Sequence, residues 1–362
     1  AWVACCVPLI ASVRMLAESL EEIASRGRPV IGSVRRAKDG RARVRVRGRS
    51  LAERLGTGRT EVELRFEEGA TREVIEASQA RAYRAVDPQG GVASILGADL
   101  IGDGMPRALH ALFVEGQVAL VEADAASAAL IPALNEAFAP LVDAGLLALQ
   151  TTGAASSSTR SNIVPWVIVP YLYAADELAF QARALASSLA LQRWLGDGAP
   201  HLLVIAEGWE QRALFLSLVE QALAGLSAWS GFSSRALDPA ALAAAEGLDQ
   251  SAPGTLPVIA ISACDPADFV PSALRFANEQ LGGGRGLTLT VHPSQEDDPQ
   301  LAKGIEEALS GLRYGAIAVN APASLIRLAP SLPWIVHHSV QGSGGAAIHD
   351  ARMAARVEKV LW

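Results

Sequence analysis

Residues 91–124, GVASILGADLIGDGMPRALHALFVEGQVALVEAD, decide how the chain is read. They run as an apolar strand, a glycine-rich loop (Gly97, Gly102, Gly104), a helix with Pro106 in its first turn, and a second strand expected to be buried. Two strands joined by a helix make a right-handed βαβ unit, and such a unit implies a parallel sheet. The loop lacks the G-x-G-x-x-G spacing of a dinucleotide fingerprint, so it is a weak sign of a cofactor by itself.

The alternation continues downstream. SAALIPALNEAFAPLVDAG reads as a helix ending at Gly145 and LLALQTTG as a strand; the polar link GAASSSTRS then leads to the strand NIVPWVIVP. The second half repeats the pattern: helices in ADELAFQARALASSLALQRWL, QRALFLSLVEQALAGL, ADFVPSALRFANEQLGG and DPQLAKGIEEALSGL, strands in HLLVIAEG, TLPVIAIS, LTLTVHP and YGAIAVN. The class is α/β, with two parallel-sheet, three-layer domains. Upstream, residues 11–25 place Val13, Leu16, Leu20 and Ile23 on one helical face. The apolar opening AWVACCVPLIASV reads as a buried helix or strand, too short for a membrane span and without the basic flank of a signal peptide.

Half of the 362 residues are hydrophobic, enough for a sizeable core, and the net charge of −7 argues against bulk binding to nucleic acid or an anionic membrane. Lysine occurs only at Lys38, Lys303 and Lys359, so arginine carries most of the positive charge. In RARVRVRGR, Arg41, Arg43, Arg45, Arg47 and Arg49 share one side of a strand and Ala42, Val44 and Val46 the other. That pattern is either a solvated edge strand whose charges block aggregation or an anion-binding module that takes phosphate or nucleic acid. Cys5, Cys6 and Cys264 form no metal or redox spacing, which fits a reducing cytoplasm. His337, His338 and His349 with Asp350 could be imagined as a metal site, but no metal is expected there. Trp166, Trp194, Trp209 and Trp334 read as packing or interface residues, and Asn320 as a residue that fixes a turn.

PQGGVASILGAD, LHALFVEGQVALVEAD, FAPLVDAGLL, DELAFQARALAS, ALRFANEQL, LRYGAIAVN and the ending SLPW…VQGSGGAAIHDARMAARVEKV, in this order, resemble the aldehyde dehydrogenase superfamily from about residue 85 to 362. The resemblance implies a truncated Rossmann-like dinucleotide domain over residues 85–170, to which residues 1–84 attach. It further implies a catalytic-type α/β domain over 171–320 and a segment, 321–362, that returns to the first domain and an oligomer interface. About a dozen residues separate LLALQ from NIVPWVIVP, too few for the further strand and helix that the family carries there.

Chemistry in that family needs a cysteine thiolate to attack the aldehyde, an asparagine amide to stabilise the oxyanion, a glutamate to activate water, and NAD+ or NADP+ to take the hydride. The resemblance puts Asp197 at the nucleophile position, Thr159 at the base, Asp99 at the oxyanion position, Glu122 at the lysine that binds the adenosine ribose, and Pro253 at the glutamate that holds the nicotinamide ribose. A carboxylate is a weak nucleophile, threonine has no group to take a proton near neutral pH, and Asp99 would repel a developing negative charge. Two expectations follow from the resemblance. One is a catalytically degenerate protein with a structural or regulatory role, a homo-oligomer or the partner of an active relative, binding neither membrane nor nucleic acid and with no cofactor expected. The other is an active NAD(P)-dependent enzyme that oxidises an aldehyde to a carboxylic acid with Cys264 as nucleophile.

Overall fold

The computed structural model describes residues 2–37, 40–46, 62–85, 90–97, 100–123, 125, 127–151, 163–190, 200–225, 233–237, 255–261, 266–323 and 357–361. They fall into two compact units: the described residues as far as Thr151 with Val357–Leu361, and those from Ile163 to Ala323. The strands in chain order are β1 (Val34–Arg36), β2 (Ala42–Val46), β3 (Val62–Phe66), β4 (Val92–Gly97), β5 (Val118–Ala123), β6 (Leu147–Thr151), β7 (Pro165–Ile168), β8 (Leu202–Ala206), β9 (Ser233–Leu237), β10 (Thr255–Ile261), β11 (Gly284–Thr290), β12 (Tyr314–Val319) and β13 (Val357–Leu361). Parallel sheets occur in both units, as the alternation of elements implies.

In the first unit β4, β5 and β6 form a parallel sheet. The stretch expected as a glycine-rich loop is helical from Leu100, because Leu100 and Met105 bury almost completely in the core, and that burial outweighs the cost of helical glycine. Helical backbone then continues through wide turns to Glu115 and stops at Gly116, whose φ of 71° suits glycine. Strand β5 is buried on one face only: Ala119, Val121 and Ala123 pack into the core, while Leu120 and Glu122 are half-buried on the other. The next crossover breaks at Phe138 into helices Ile131–Ala137 and Ala139–Asp143, since Pro140 has no N–H to continue a helix.

Helix Trp2–Arg26 packs on this core through Leu9 and Leu16. Its buried stripe is Leu9, Ser12, Met15, Leu16 and Ser19, not the face through Val13, Leu20 and Ile23; Val13 is 39% exposed. Periodicity could not choose, because the helix is apolar on more than one side, whereas the small Ser12 and Ser19 let it approach its neighbours closely.

Strands β1, β2, β3 and β13 pair antiparallel in that order. The arginine strand β2 is therefore flanked on both sides and is not an edge strand. Ala42, Val44, Leu64 and Phe66 bury the apolar face. On the other face Arg43 stands opposite Arg65 and Arg45 opposite Glu63. One carboxylate oxygen, Glu63 Oε1, accepts from Arg43 Nη1 and Arg65 Nε at 3.1 Å each.

The second unit is a parallel sheet in the order β12-β11-β7-β8-β10-β9. Its central strands β7, β8 and β11 are buried along their whole length, as strands covered on both faces must be. Helices Ala175–Ala190, Arg212–Ala224, Pro266–Glu279 and Pro299–Gly311 supply crossovers. Strand β7, which the sequence placed at the end of the first domain near Pro170, lies inside this sheet between β11 and β8.

Removing the acceptor shared by Arg43 and Arg65 leaves two cations facing each other with Arg65 only 3% exposed. Glu63→Ala is expected to lower stability by about 3 kcal/mol, and Glu63→Leu with Arg65→Met by less, because a buried pair costs most when one partner is left behind. Urea midpoints of the two variants test this order.

Candidate functional site

In open α/β sheets ligands bind beyond the carboxyl ends of the strands, where the strand order reverses direction. Here that point lies between β7 and β11: the chain runs outward from β7 through β8 to β9 and β10, then returns to the other side of β7 for β11 and β12.

The segment after β7, residues 169–174, is tied down on both sides. Val169 N–H donates to the Thr290 carbonyl at 2.9 Å. The Gln295 side-chain amide donates to the Pro170 carbonyl at 3.1 Å, and the Trp209 indole to the Tyr171 carbonyl at 2.8 Å. Gln211 holds Tyr173 through both of its amide groups, donating to the carbonyl at 2.8 Å and accepting from the N–H at 2.9 Å. Tyr171 stacks on His292 with ring centres 3.9 Å apart and 15° between planes, and Tyr173 meets the edges of both Tyr171 and His292.

His292 fixes the chemistry of this place. Its Nδ1 accepts from the N–H of Ser294 at 3.1 Å, capping the short helix Pro293–Glu296. The proton of the neutral ring therefore sits on Nε2, which faces Glu177 Oε1 at 3.3 Å. Glu177 Oε2 in turn accepts from the N–H of Ala174 at 2.8 Å. With both ring nitrogens engaged, the imidazole has no lone pair to offer as a base. Burial, with the charge of Glu177 close by, raises Tyr173 above the ordinary phenol range, and its hydroxyl donates to the Val169 carbonyl at 3.3 Å. Among the described residues, aromatic rings and mutually hydrogen-bonded polar groups thus line this end of the sheet.

The sequence reading passed over His292, Glu177, Tyr171 and Gln295. A signal was present: HPSQ has proline just after the capping residue and glutamine three residues on, the outline of a capping box with histidine in the place of serine or threonine. Asn320 adopts φ 59° and accepts from Val291 N–H at 2.8 Å, holding the ends of β11 and β12 together. Trp166 and Trp209 are buried.

Of the positions taken from the resemblance, Asp197, Thr159, Asp99, Pro253 and Cys264 lie outside the described residues, as do Arg47, Arg49, Trp194, Trp334, His337, His338, His349 and Asp350. Glu122 is described. It is the penultimate residue of β5, paired between Leu96 and Gln150, and its Oε1 accepts from the Gln150 amide at 3.3 Å. Among the described residues no group of three or more His, Cys, Asp and Glu could hold a metal ion, and no helix is long and apolar enough to cross a membrane.

No family model matches the chain, and no curated protein matches it. Among solved structures, an NAD-dependent aldehyde dehydrogenase from Sinorhizobium meliloti is 11% identical with a TM-score of 0.49, over 97% of this chain and 74% of that one. Aldehyde dehydrogenase 21 from Physcomitrella patens, in complex with the reaction product succinate, is 10% identical with a TM-score of 0.49, over 96% and 75%. An engineered glycolyl-CoA reductase with bound NADP+ is 10% identical with a TM-score of 0.41, over 95% and 86%.

At the opposite, amino end of the sheet, His201 Nδ1 accepts from Val164 N–H at 3.1 Å. Burial pushes this imidazole from 6.5 down to about 4. The folded state therefore refuses a proton that the unfolded chain accepts, so stability is full above the ordinary imidazole value and falls as pH drops from 6.5 towards 4. A loss of about 3 kcal/mol is expected across that window. His201→Asn keeps an acceptor without the titration and should flatten this part of the profile; identical pH slopes in denaturant unfolding would rule the assignment out.

Proposed function

We propose that this chain is an aldehyde-dehydrogenase-like protein that no longer oxidises aldehydes and serves as a non-catalytic, structural or regulatory subunit. The order of family-like phrases from residue 85 onward supports the family. Glu122 carries the functional reading. At the carboxyl end of β5, where the resemblance calls for a lysine, stands a carboxylate engaged by Gln150.

A carboxylate here repels the 2′-phosphate of NADP+; toward NAD+ it withdraws the donor that the family position supplies but keeps an acceptor for the ribose hydroxyls. Glu122, the one family position among the described residues, does not fit NADP+. Asp197, Thr159 and Asp99 agree with this reading, since at their family positions Asp197 is no thiolate, Thr159 no neutral-pH base and Asp99 no neutral oxyanion donor.

The arginine face draws no support as a phosphate site. Arg43 and Arg65 are drawn to the carboxylate of Glu63, and Arg45 stands opposite it in the register, while Arg47 and Arg49 lie outside the described residues.

Calorimetric titration of the purified protein with NAD+ and with NADP+ tests the proposal. No saturable binding of NADP+ is expected, and NAD+ should bind no more tightly than about millimolar. Micromolar binding of either, together with aldehyde-dependent NAD(P)H formation that Cys264→Ala abolishes, would replace it with the active-enzyme reading.

A further inference from the structure

Helix Trp2–Arg26 carries a second apolar stripe beside the one that packs on the core. Ile10, Val13, Ala17, Leu20 and Ala24 recur at alternating spacings of three and four residues, the pattern of a helix–helix seam. Ile10 is 42% and Val13 39% exposed; Ala17 and Ala24 are exposed and Leu20 is half-buried. Arg14 and Glu21 lie along the margin of the stripe that faces away from the core, and both are exposed.

We propose that this stripe is a self-association seam on which the same helix of a second copy of the chain packs antiparallel, about a two-fold axis near Ala17. The charges select this occupant. Arg14 precedes Ala17 by one turn and Glu21 follows it by one turn, so an antiparallel copy brings Arg14 against Glu21 of the second copy, and Glu21 against its Arg14. A parallel copy offers neither residue an opposite charge, because the other margin of the stripe is Leu9, Leu16 and Ile23. The axis also pairs the apolar positions: Ala17 with Ala17, Val13 with Leu20, Ile10 with Ala24. Alanine at the centre lets the two backbones approach closely. The contact is isologous, so it closes at two copies and leaves no open end.

The seam is read from the helix alone and goes beyond the proposed loss of catalysis; a chain that bound NAD+ would carry it equally.

Sedimentation of the full chain across micromolar concentrations tests it. A dimer is expected. Val13→Asp should give a monomer with unchanged helical circular dichroism. Arg14→Glu should weaken dimerisation about tenfold, and adding Glu21→Arg should restore it. A monomer at every concentration, or a dimer that neither single change affects, overturns the seam. A dimer that Val13→Asp breaks but the charge swap fails to restore overturns the antiparallel arrangement.

Discussion

Trp166 sits in the middle of the second unit's sheet, and its buried indole N–H needs a partner. Thr290 provides it: the N–H donates to the threonine hydroxyl at 2.9 Å. That bond spans the joint between β7 and β11, the place where the strand order turns back on itself. A slip of one residue would carry the Thr290 hydroxyl to the other face of the sheet and leave the buried indole without an acceptor. The register fixed here sets the heights of Pro170, Tyr171 and His292, and so the aromatic packing above them.

How much of this was legible depended on whether a residue's role is local. The runs WVIV and LLVIA are apolar without alternation, which reads directly as strands covered on both faces, whereas LTLT alternates leucine with threonine although β11 is buried along its whole length. β9 was not anticipated: SSRAL is short and mostly polar, and it forms a strand because β10 pairs with it. The buried face of helix Trp2–Arg26 was misread because its neighbours, not its pattern, choose the side. In the candidate site the resemblance pointed to positions of which Glu122 alone is described, whereas His292 and Glu177 meet across 115 residues of sequence, a proximity that no local pattern carries.

Side-chain amides take over backbone roles at several points. Gln211 pairs with both polar groups of Tyr173 as a neighbouring strand would, and Asn278 does the same for the Gly311 carbonyl and the Arg313 N–H. Such pairings complete the hydrogen bonding of segments at the rims of the sheet, where buried backbone groups must still find partners. They also account for the glutamine, histidine and tryptophan side chains that hold the segment after β7.

The joint between β7 and β11 bears on the chain's synthesis as well. Trp166 and Thr290 are 124 residues apart, and at ordinary rates of translation the second follows the first by roughly ten seconds. Helix Ala175–Ala190 and β8 emerge early and can pair with one side of β7, but its other side stays open until β11 appears. Through that interval the nascent chain exposes a central, wholly apolar strand edge. How long that edge stays open is set by topology, before any question of what the finished protein binds.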